Sequence, residues 1–281
     1  MVNTVSEFTP QKKFLVCVDS DGCAMDTMDI KHIRCFGPCM VEEWQLDPWR
    51  EEILTRWNDI NLYTMTRGIN RFKGLAMALA EISKTYTPID GIADLVDWAE
   101  HAKELSNRAV AEEYDRTGKE VFRKALRWSE ATNASIDALP ESDKRPFDGV
   151  AECLAAMQEF ADVAVVSSAN RDAVTEEWQR CGLLEHVDVL LCQDAGSKAH
   201  CIGELLKKGY DPHNVLMVGD APGDKAAAEQ NGVYCYPILV RHEADSWREL
   251  RSAGLSHFRG QTYAIYGEQK IAEFLDNLKG E

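Results

Sequence analysis

The stretch FLVCVDSDGCAMDT, residues 14–27, decides the fold. Its first five residues, Phe14–Val18, form a short, uninterrupted apolar run, which is typical of a strand buried on both faces of a parallel sheet. Asp19 and Asp21 follow at once, and Gly22 allows the backbone to turn sharply. Because binding sites in open parallel sheets lie at the carboxyl ends of strands, these carboxylates mark a candidate site. The alternative is a strand that simply ends in an acidic turn.

The composition indicates a folded protein of one large domain or two ordinary ones. The chain has 281 residues, of which 45% are hydrophobic, so a sizeable core can form. The formal net charge of −16 disfavours nucleic acid and anionic membranes as partners, since both attract basic surfaces. An anionic substrate is compatible with this charge if a metal ion and a few local cations outweigh it.

Cysteine usage and the lack of a targeting pattern favour a cytoplasmic protein. The nine cysteines are scattered, with no CxxC pair and no zinc-like spacing, which favours reduced thiols in the cytosol. The segment Met1–Lys13 has no apolar core of signal-peptide length, and no apolar run is long enough to span a membrane. We expect a cytoplasmic monomer or small homo-oligomer without membrane association.

The rest of the chain divides into a helical segment and an α/β segment. Residues 27–145 show helical periodicity, and their tryptophans fit a bundle core better than a sugar-stacking surface. From Pro146 onward, short apolar strands alternate with helices, which predicts a doubly wound parallel sheet. The tail is predicted to form helices near Ser246–Ala253 and over Glu268–Leu278.

We therefore predict an α/β protein with a Rossmann-like core and an inserted all-α domain. Residues 1–26 and 146–281 would form the core domain. Residues 27–145 would form a helical cap domain above the carboxylates, because a structureless insertion of this length is implausible in a compact domain.

Polar residues also follow other segments of the predicted sheet. Ser167 follows the second strand, Lys198 opens the helix before the fourth strand, and Asp220 and Asp224 follow that strand. Carboxylates brought close to Asp19 would either take up protons or bind a cation, and an all-oxygen set favours Mg²⁺. Mg²⁺, an ammonium group and a hydroxyl group together suit the binding of a phosphoryl group.

This chemistry gives the two aspartates of the opening stretch separate roles. Asp19 can act as a nucleophile that forms an aspartyl phosphate, and Asp21 can protonate the leaving oxygen and then activate water. Ser168 and Asn170, which adjoin Ser167, are further candidates for substrate binding. Asn170 could equally cap the helix that follows it.

Together these motifs resemble those of the haloacid dehalogenase superfamily of phosphotransferases. Four motifs carry the resemblance in the family's order and spacing: Asp19-Ser20-Asp21-Gly22, Ser167, Lys198, and Gly219-Asp220 with Asp224. The resemblance implies that Asp19 is the nucleophile and Asp21 the general acid and base. It also implies that Mg²⁺ is held by the Asp19 side chain, the Asp21 main-chain carbonyl, and the carboxylates of Asp220 and Asp224.

The helical segment resembles the caps of β-phosphoglucomutase-like members of that family. Within it, residues 66–72, TRGINRF, resemble the loop with which those caps reach into the active site. The resemblance implies that Arg71, together with Arg67, contacts the part of the substrate remote from the chemistry. A solvated basic loop, with Asn70 as an ordinary helix cap, is the alternative.

The interpretation is a Mg²⁺-dependent phosphatase that acts on a small phosphorylated metabolite through an aspartyl phosphate on Asp19. A phosphosugar mutase of the β-phosphoglucomutase type shares every core motif and is the alternative. Dehalogenation and phosphonate cleavage are disfavoured because Asp21 is present. A non-catalytic phosphate-binding or interaction protein would be expected to lack the nucleophile, the lysine or a metal ligand, and this sequence contains all of them.

Overall fold

Five parallel strands form one sheet in the computed structural model, which describes Val2 and residues 4–279. The strands are β1 (Phe14–Val18), β2 (Ala161–Val166), β3 (Val189–Leu191), β4 (Val215–Gly219) and β5 (Tyr234–Pro237). Their order across the sheet is β3-β2-β1-β4-β5, and every neighbouring pair is parallel. The predicted α/β fold with a doubly wound parallel sheet is confirmed.

The helices account for most of the remaining chain. In the part of the chain that the structure describes, the α-helices are α1 (Met28–Lys31), α2 (Gly37–Trp44), α3 (Arg50–Asn58), α4 (Arg71–Thr85), α5 (Ile92–His101), α6 (Asn107–Thr117), α7 (Glu120–Asp137), α8 (Val150–Gln158), α9 (Arg171–Arg180), α10 (Lys198–Leu206), α11 (Pro222–Asn231), α12 (Glu243–Glu249), α13 (Leu255–Arg259) and α14 (Tyr263–Asn277). None of these described helices combines the length and the apolar character needed to cross a membrane.

Contacts between Cα atoms group the chain into two compact units. One unit contains the residues up to Met28 together with Lys144–Lys279, and the other contains Asp29–Asp143. The first unit carries the parallel sheet, and the second is helical.

The central strand β1 organises the first unit because both of its faces are apolar. Val16 and Val18 pack on one face with residues of α8, α9 and the C-terminal helices, whereas Leu15 and Cys17 pack on the other face with residues of α10 and α11. All five residues of β1 are buried. The alternation of side chains along a strand thus gives a sheet covered by helices on both faces.

Aromatic side chains fill the interior of the helical unit. Trp57 and Trp128 are fully buried and meet edge to face, with ring centroids 6.0 Å apart. Phe72 packs edge to face against Trp128 and Trp98. Because these tryptophans are buried in the core of the helical unit, the prediction that they form a helical core is confirmed. Edge-to-face packing is a favoured arrangement of such buried rings.

The tail is more helical than its sequence pattern predicts. The helix expected near Ser246 begins earlier, at Glu243, and its path continues through a π-helical turn, Leu250–Gly254, into α13. The final helix begins at Tyr263, five residues before the predicted start at Glu268. Neither helix has a side chain that caps its amino terminus, so the sequence carries no signal for these starts.

Candidate active site

Hydrogen bonds with neighbouring backbone groups hold Asp19 at the carboxyl edge of the sheet. Its amide N–H donates to the carbonyl of Val218 at 3.0 Å, and its carboxylate Oδ1 accepts from the amide of Ser20 at 2.8 Å. Because β1 lies between β2 and β4, Asp19 stands between the residues that follow those strands. These are Ser167 after β2 and Asp220 after β4.

The backbone that follows Asp19 closes into a tight turn. The carbonyl of Ser20 accepts hydrogen bonds from the amides of Cys23, Ala24 and Met25, at 3.3, 2.9 and 2.8 Å. Gly22 has a φ of 77°, a left-handed conformation in which glycine avoids a side-chain clash. We call residues 19–25 the catalytic loop, because they contain Asp19 and Asp21, the two residues for which the sequence predicts catalytic roles.

Three carboxylates and one ammonium group meet at this edge. Asp19, Asp220 and Asp224 each bring one carboxylate oxygen to within 4.8 Å of the others, and all three residues are buried. The Nζ of Lys198, at the start of α10, lies 2.6 Å from Asp19 Oδ2 and 2.5 Å from Asp224 Oδ1. The second oxygen of Asp224 accepts from the amide of Ala221 at 3.0 Å. The sheet thus brings together the residues that the sequence placed on separate segments.

Burial and mutual repulsion dominate the electrostatics of this cluster. Burial raises the pKa of Asp19 to about 8, Lys198 opposes the rise, and the carboxylates of Asp224 and Asp220 add to it. Burial by itself lowers the pKa of Lys198, but the two carboxylates outweigh it and hold that pKa above its ordinary value. The cluster therefore favours an additional positive charge.

The donor set fits Mg²⁺. All of the clustered donors are carboxylate oxygens, which are the ligands that this hard cation prefers. Oxygen ligands of one Mg²⁺ at about 2.1 Å lie no more than about 4.2 Å apart, so small side-chain movements would bring the cluster into range. Asp19, Asp220 and Asp224 are the residues that could hold the ion.

Asp21 lies in a different environment from that of Asp19. Its side chain is half-buried, and its Oδ1 accepts a hydrogen bond from the hydroxyl of Thr27 at 2.6 Å. This contact orients the carboxylate that the sequence assigns to proton transfer. Thr27 belongs to the opening stretch and, with Asp26, to the first motif of the family resemblance, but its sequence position did not predict this contact with Asp21.

The three candidate substrate-binding residues that follow β2 differ in exposure and in hydrogen bonding. Ser167 is buried, and its Oγ accepts from the amide of Ala169 at 3.2 Å, whereas Ser168 is exposed. Asn170 caps α9, because its side-chain oxygen accepts from the two amides that follow Arg171 in the chain. Of the two roles predicted for Asn170, the structure shows helix capping.

The two arginines predicted to bind substrate lie in the helical unit and are held differently. The side chain of Arg67 is 1% exposed, its Nη1 donates to the carbonyl of Leu62 at 2.7 Å, and it lies 3.9 Å from Asp29 Oδ1. The guanidinium is thus buried and bonded to a main-chain carbonyl. Contact between Arg67 and a substrate stays a prediction.

Arg71 lacks an acidic partner among the described residues. Its Nη1 donates to Ser129 Oγ at 3.1 Å and to Asn133 Oδ1 at 2.7 Å, and its guanidinium stacks on the ring of Phe36, 4.9 Å from the centroid. Burial lowers the pKa of this arginine, and no nearby carboxylate offsets that change. Asn70 caps the same helix by accepting from the amide of Phe72.

Comparison with known proteins gives two curated relatives. The validoxylamine A 7'-phosphate phosphatase of Streptomyces hygroscopicus subsp. limoneus is 28% identical over 127 residues, which cover 41% of this chain and 58% of that protein. The phosphoglycolate phosphatase of Agrobacterium fabrum is 27% identical over 172 residues, which cover 52% of this chain and 74% of that protein. The chain therefore spans less than two thirds of the length of the first of these relatives.

The family and the fold are shown by two further matches. A solved haloacid dehalogenase-like family hydrolase of Streptococcus pneumoniae superposes with a TM-score of 0.51 at 12% identity, over 84% of this chain and 90% of that one. The sequence profile described as haloacid dehalogenase-like hydrolase matches residues 95–238, just over half of the chain. The chain belongs to the haloacid dehalogenase-like hydrolase family.

Proposed function

We propose that the protein is a Mg²⁺-dependent phosphatase that hydrolyses a small phosphomonoester through an aspartyl phosphate on Asp19. The observation that carries the proposal is the buried cluster of Asp19, Asp220 and Asp224 with the ammonium of Lys198. The two curated relatives, both named as phosphatases, support it. The net charge of −16 makes a small metabolite a better candidate for the substrate than nucleic acid.

In this proposal Asp19 attacks the phosphorus atom, and the bond between phosphorus and the ester oxygen breaks. Asp21 gives its proton to the departing oxygen, so that the product leaves as an alcohol. Asp21 then takes a proton from water, which attacks the aspartyl phosphate and releases inorganic phosphate. Lys198 and the hydroxyl of Ser167 would stabilise the charge on the transferring oxygens.

The carboxylates of Asp19, Asp220 and Asp224 would hold Mg²⁺, together with the Asp21 main-chain carbonyl that the family resemblance implies. When bound, the ion would supply positive charge to the phosphoryl oxygens and offset the repulsion among these carboxylates. The environment of Gly219 supports the idea that the cluster is built to a close fit. A Cβ atom at Gly219 would lie only 2.3 Å from Asp224 Cγ.

We also propose that the helical unit acts as the cap domain expected from the sequence, with boundaries near residues 27 and 145, and that it selects the substrate. Arg71 supports this role, because a partly buried guanidinium with only neutral hydrogen-bond acceptors is suited to an anionic ligand. Arg67 lies in the same unit and stays a second candidate for substrate contact, as the family resemblance implies.

Gly219→Ala tests the metal site. Because the new methyl group would displace the Asp224 carboxylate, we expect the variant to lose most of the Mg²⁺-induced rise in melting temperature. A ligand at a hundredfold excess over its Kd stabilises a protein by about 2.7 kcal/mol, so the wild-type rise should be readily measurable against EDTA. The matched control is Gly223→Ala, whose Cβ meets no atom within 4 Å. A full Mg²⁺ response in Gly219→Ala would contradict this account of Asp224.

Asp19→Asn tests the nucleophile. Since an amide oxygen is a poor nucleophile, hydrolysis of 4-nitrophenyl phosphate should fall by at least about a thousandfold while circular dichroism stays unchanged. Asp211→Asn is the control, because Asp211 is an exposed helix cap and asparagine caps equally well. Wild-type Mg²⁺-dependent turnover in Asp19→Asn would show that the nucleophile is assigned wrongly.

Asp21→Asn tests proton donation to the leaving group. The value of kcat/KM reports the steps up to formation of the aspartyl phosphate. It should fall about 10²- to 10⁴-fold for glycerol 2-phosphate, whose alkoxide needs a proton. The loss for 4-nitrophenyl phosphate should be much smaller, since nitrophenolate leaves without protonation. Equal losses for both esters would remove Asp21 from the role of general acid.

Arg71→Met tests substrate selection, because it removes the cation and keeps an apolar chain against Phe36. On a panel of phosphorylated metabolites, the substrate that wild type prefers should lose at least about tenfold in kcat/KM, while 4-nitrophenyl phosphate changes little. Lys73→Ala, which removes an exposed cation from the same helix, is the control. A uniform loss across the panel would show that Arg71 does not select the substrate.

A further inference from the structure

We infer that two buried indole N–H groups, those of Trp178 and Trp247, are positioning groups that hold the catalytic loop in its working orientation. The inference rests on the proposed phosphatase function and assigns a role to the C-terminal segment, for which the sequence indicated none. Neither tryptophan touches the reacting atoms in this scheme. Each acts through the backbone or side chain of the catalytic loop.

Trp178 holds the start of the loop. Its Nε1 donates to the hydroxyl oxygen of Ser20 at 2.9 Å, and both residues are 0% exposed. Ser20 lies between Asp19 and Asp21 in the chain, so this single contact fixes the residue that joins the two carboxylates. Trp178 lies on α9, the helix that Asn170 caps, so this helix determines the position of the indole.

Trp247 holds the far side of the same loop. Its Nε1 donates to the carbonyl of Cys23 at 2.9 Å, and it too is 0% exposed. The preceding residue, Ser246, is anchored to the sheet, because its carbonyl accepts from the hydroxyl of Tyr236 at 2.9 Å and its Oγ accepts from the amide of Leu239 at 3.0 Å. The start of the C-terminal segment therefore connects β5 to the catalytic loop.

The two contacts act on a loop that is already stiff within itself. Three amides donate to the carbonyl of Ser20, so the turn would move as one rigid unit. The indole donors of Trp178 and Trp247, one on each side of Gly22, oppose this rigid-body movement. Because both donors are buried, water cannot replace either one. A displacement of about 1 Å in a reacting group can cost about 10²-fold in rate, so the orientation of this loop matters for turnover.

The test uses Trp178→Phe and Trp247→Phe, which remove the donor and keep an aromatic ring. We expect each variant to lose at least about tenfold in kcat/KM for glycerol 2-phosphate and distinctly less for 4-nitrophenyl phosphate, because a misplaced Asp21 affects mainly the ester that needs a proton. Hydrogen exchange, followed by mass spectrometry, should be faster at the amides of residues 23–25 in both variants.

Tyr263→Phe is the matched control. It removes a buried hydroxyl that donates to the carbonyl of Cys235, a strand residue of the same unit, at 3.0 Å, and not to the catalytic loop. It should lower the melting temperature. The ratio of the kcat/KM values for the two esters and the rate of hydrogen exchange at residues 23–25 should stay unchanged. A change in that ratio in Tyr263→Phe equal to that in the tryptophan variants would overturn the inference, because the effect would then follow general destabilisation.

Ser20→Ala provides a second route in case Trp178→Phe folds poorly. It removes the acceptor and leaves the indole in place, so it should give the same shift in the ester ratio. In the double variant Ser20→Ala/Trp178→Phe, the combined loss in kcat/KM should be smaller than the sum of the two single losses expressed as free energies. Wild-type ester ratios together with wild-type loop exchange in these variants would refute the positioning role. If wild type itself hydrolyses neither ester, the proposed function fails, and the exchange data alone decide whether the indoles hold the loop.

Discussion

Burying three carboxylates within 4.8 Å of one another is the constraint on which the rest of this site depends. Like charges repel strongly where water is excluded, so such a cluster persists only if protons or cations compensate it. The ammonium of Lys198 contacts Asp19 and Asp224 and supplies one positive charge. In the proposed function, the excess of negative charge that is left would attract a second cation, and that cation would link the fold to phosphoryl chemistry.

The parallel sheet satisfies this constraint by using rigid elements. Asp19 follows the central strand, Asp220 follows its neighbour β4, and Lys198 opens α10. Charged groups on strand ends and helix starts keep their separations better than groups on free loops. Gly219 contributes by its lack of a side chain, because any Cβ there would collide with Asp224. The close fit of backbone to carboxylate is therefore part of how the cluster is held.

The sequence predicted the sheet and the charged cluster, because both depend on local patterns. Apolar runs predicted the strands, and strand ends in a parallel sheet must share one edge. Contacts between distant residues have no such pattern: Ser20 and Trp178 are 158 positions apart, and Cys23 and Trp247 are 224 apart. An arginine in a polar loop also gives the same signal whether it faces solvent or, as Arg67 does, donates to a carbonyl in the interior.

Backbone hydrogen bonds tie the chain to its own return path where it leaves the sheet-bearing unit. The amide of Asp26 donates to the carbonyl of Arg145 at 2.8 Å, and the amide of Phe147 donates to the carbonyl of Ala24 at 3.1 Å. The chain is therefore tied to its own return path before it enters the helical unit, and the catalytic loop is closed within the sheet-bearing unit. Rearrangement of the connecting residues beyond Asp26 can then leave the loop in place. In the proposed scheme, these backbone contacts and the two indole donors would hold the loop entirely from within the sheet-bearing unit.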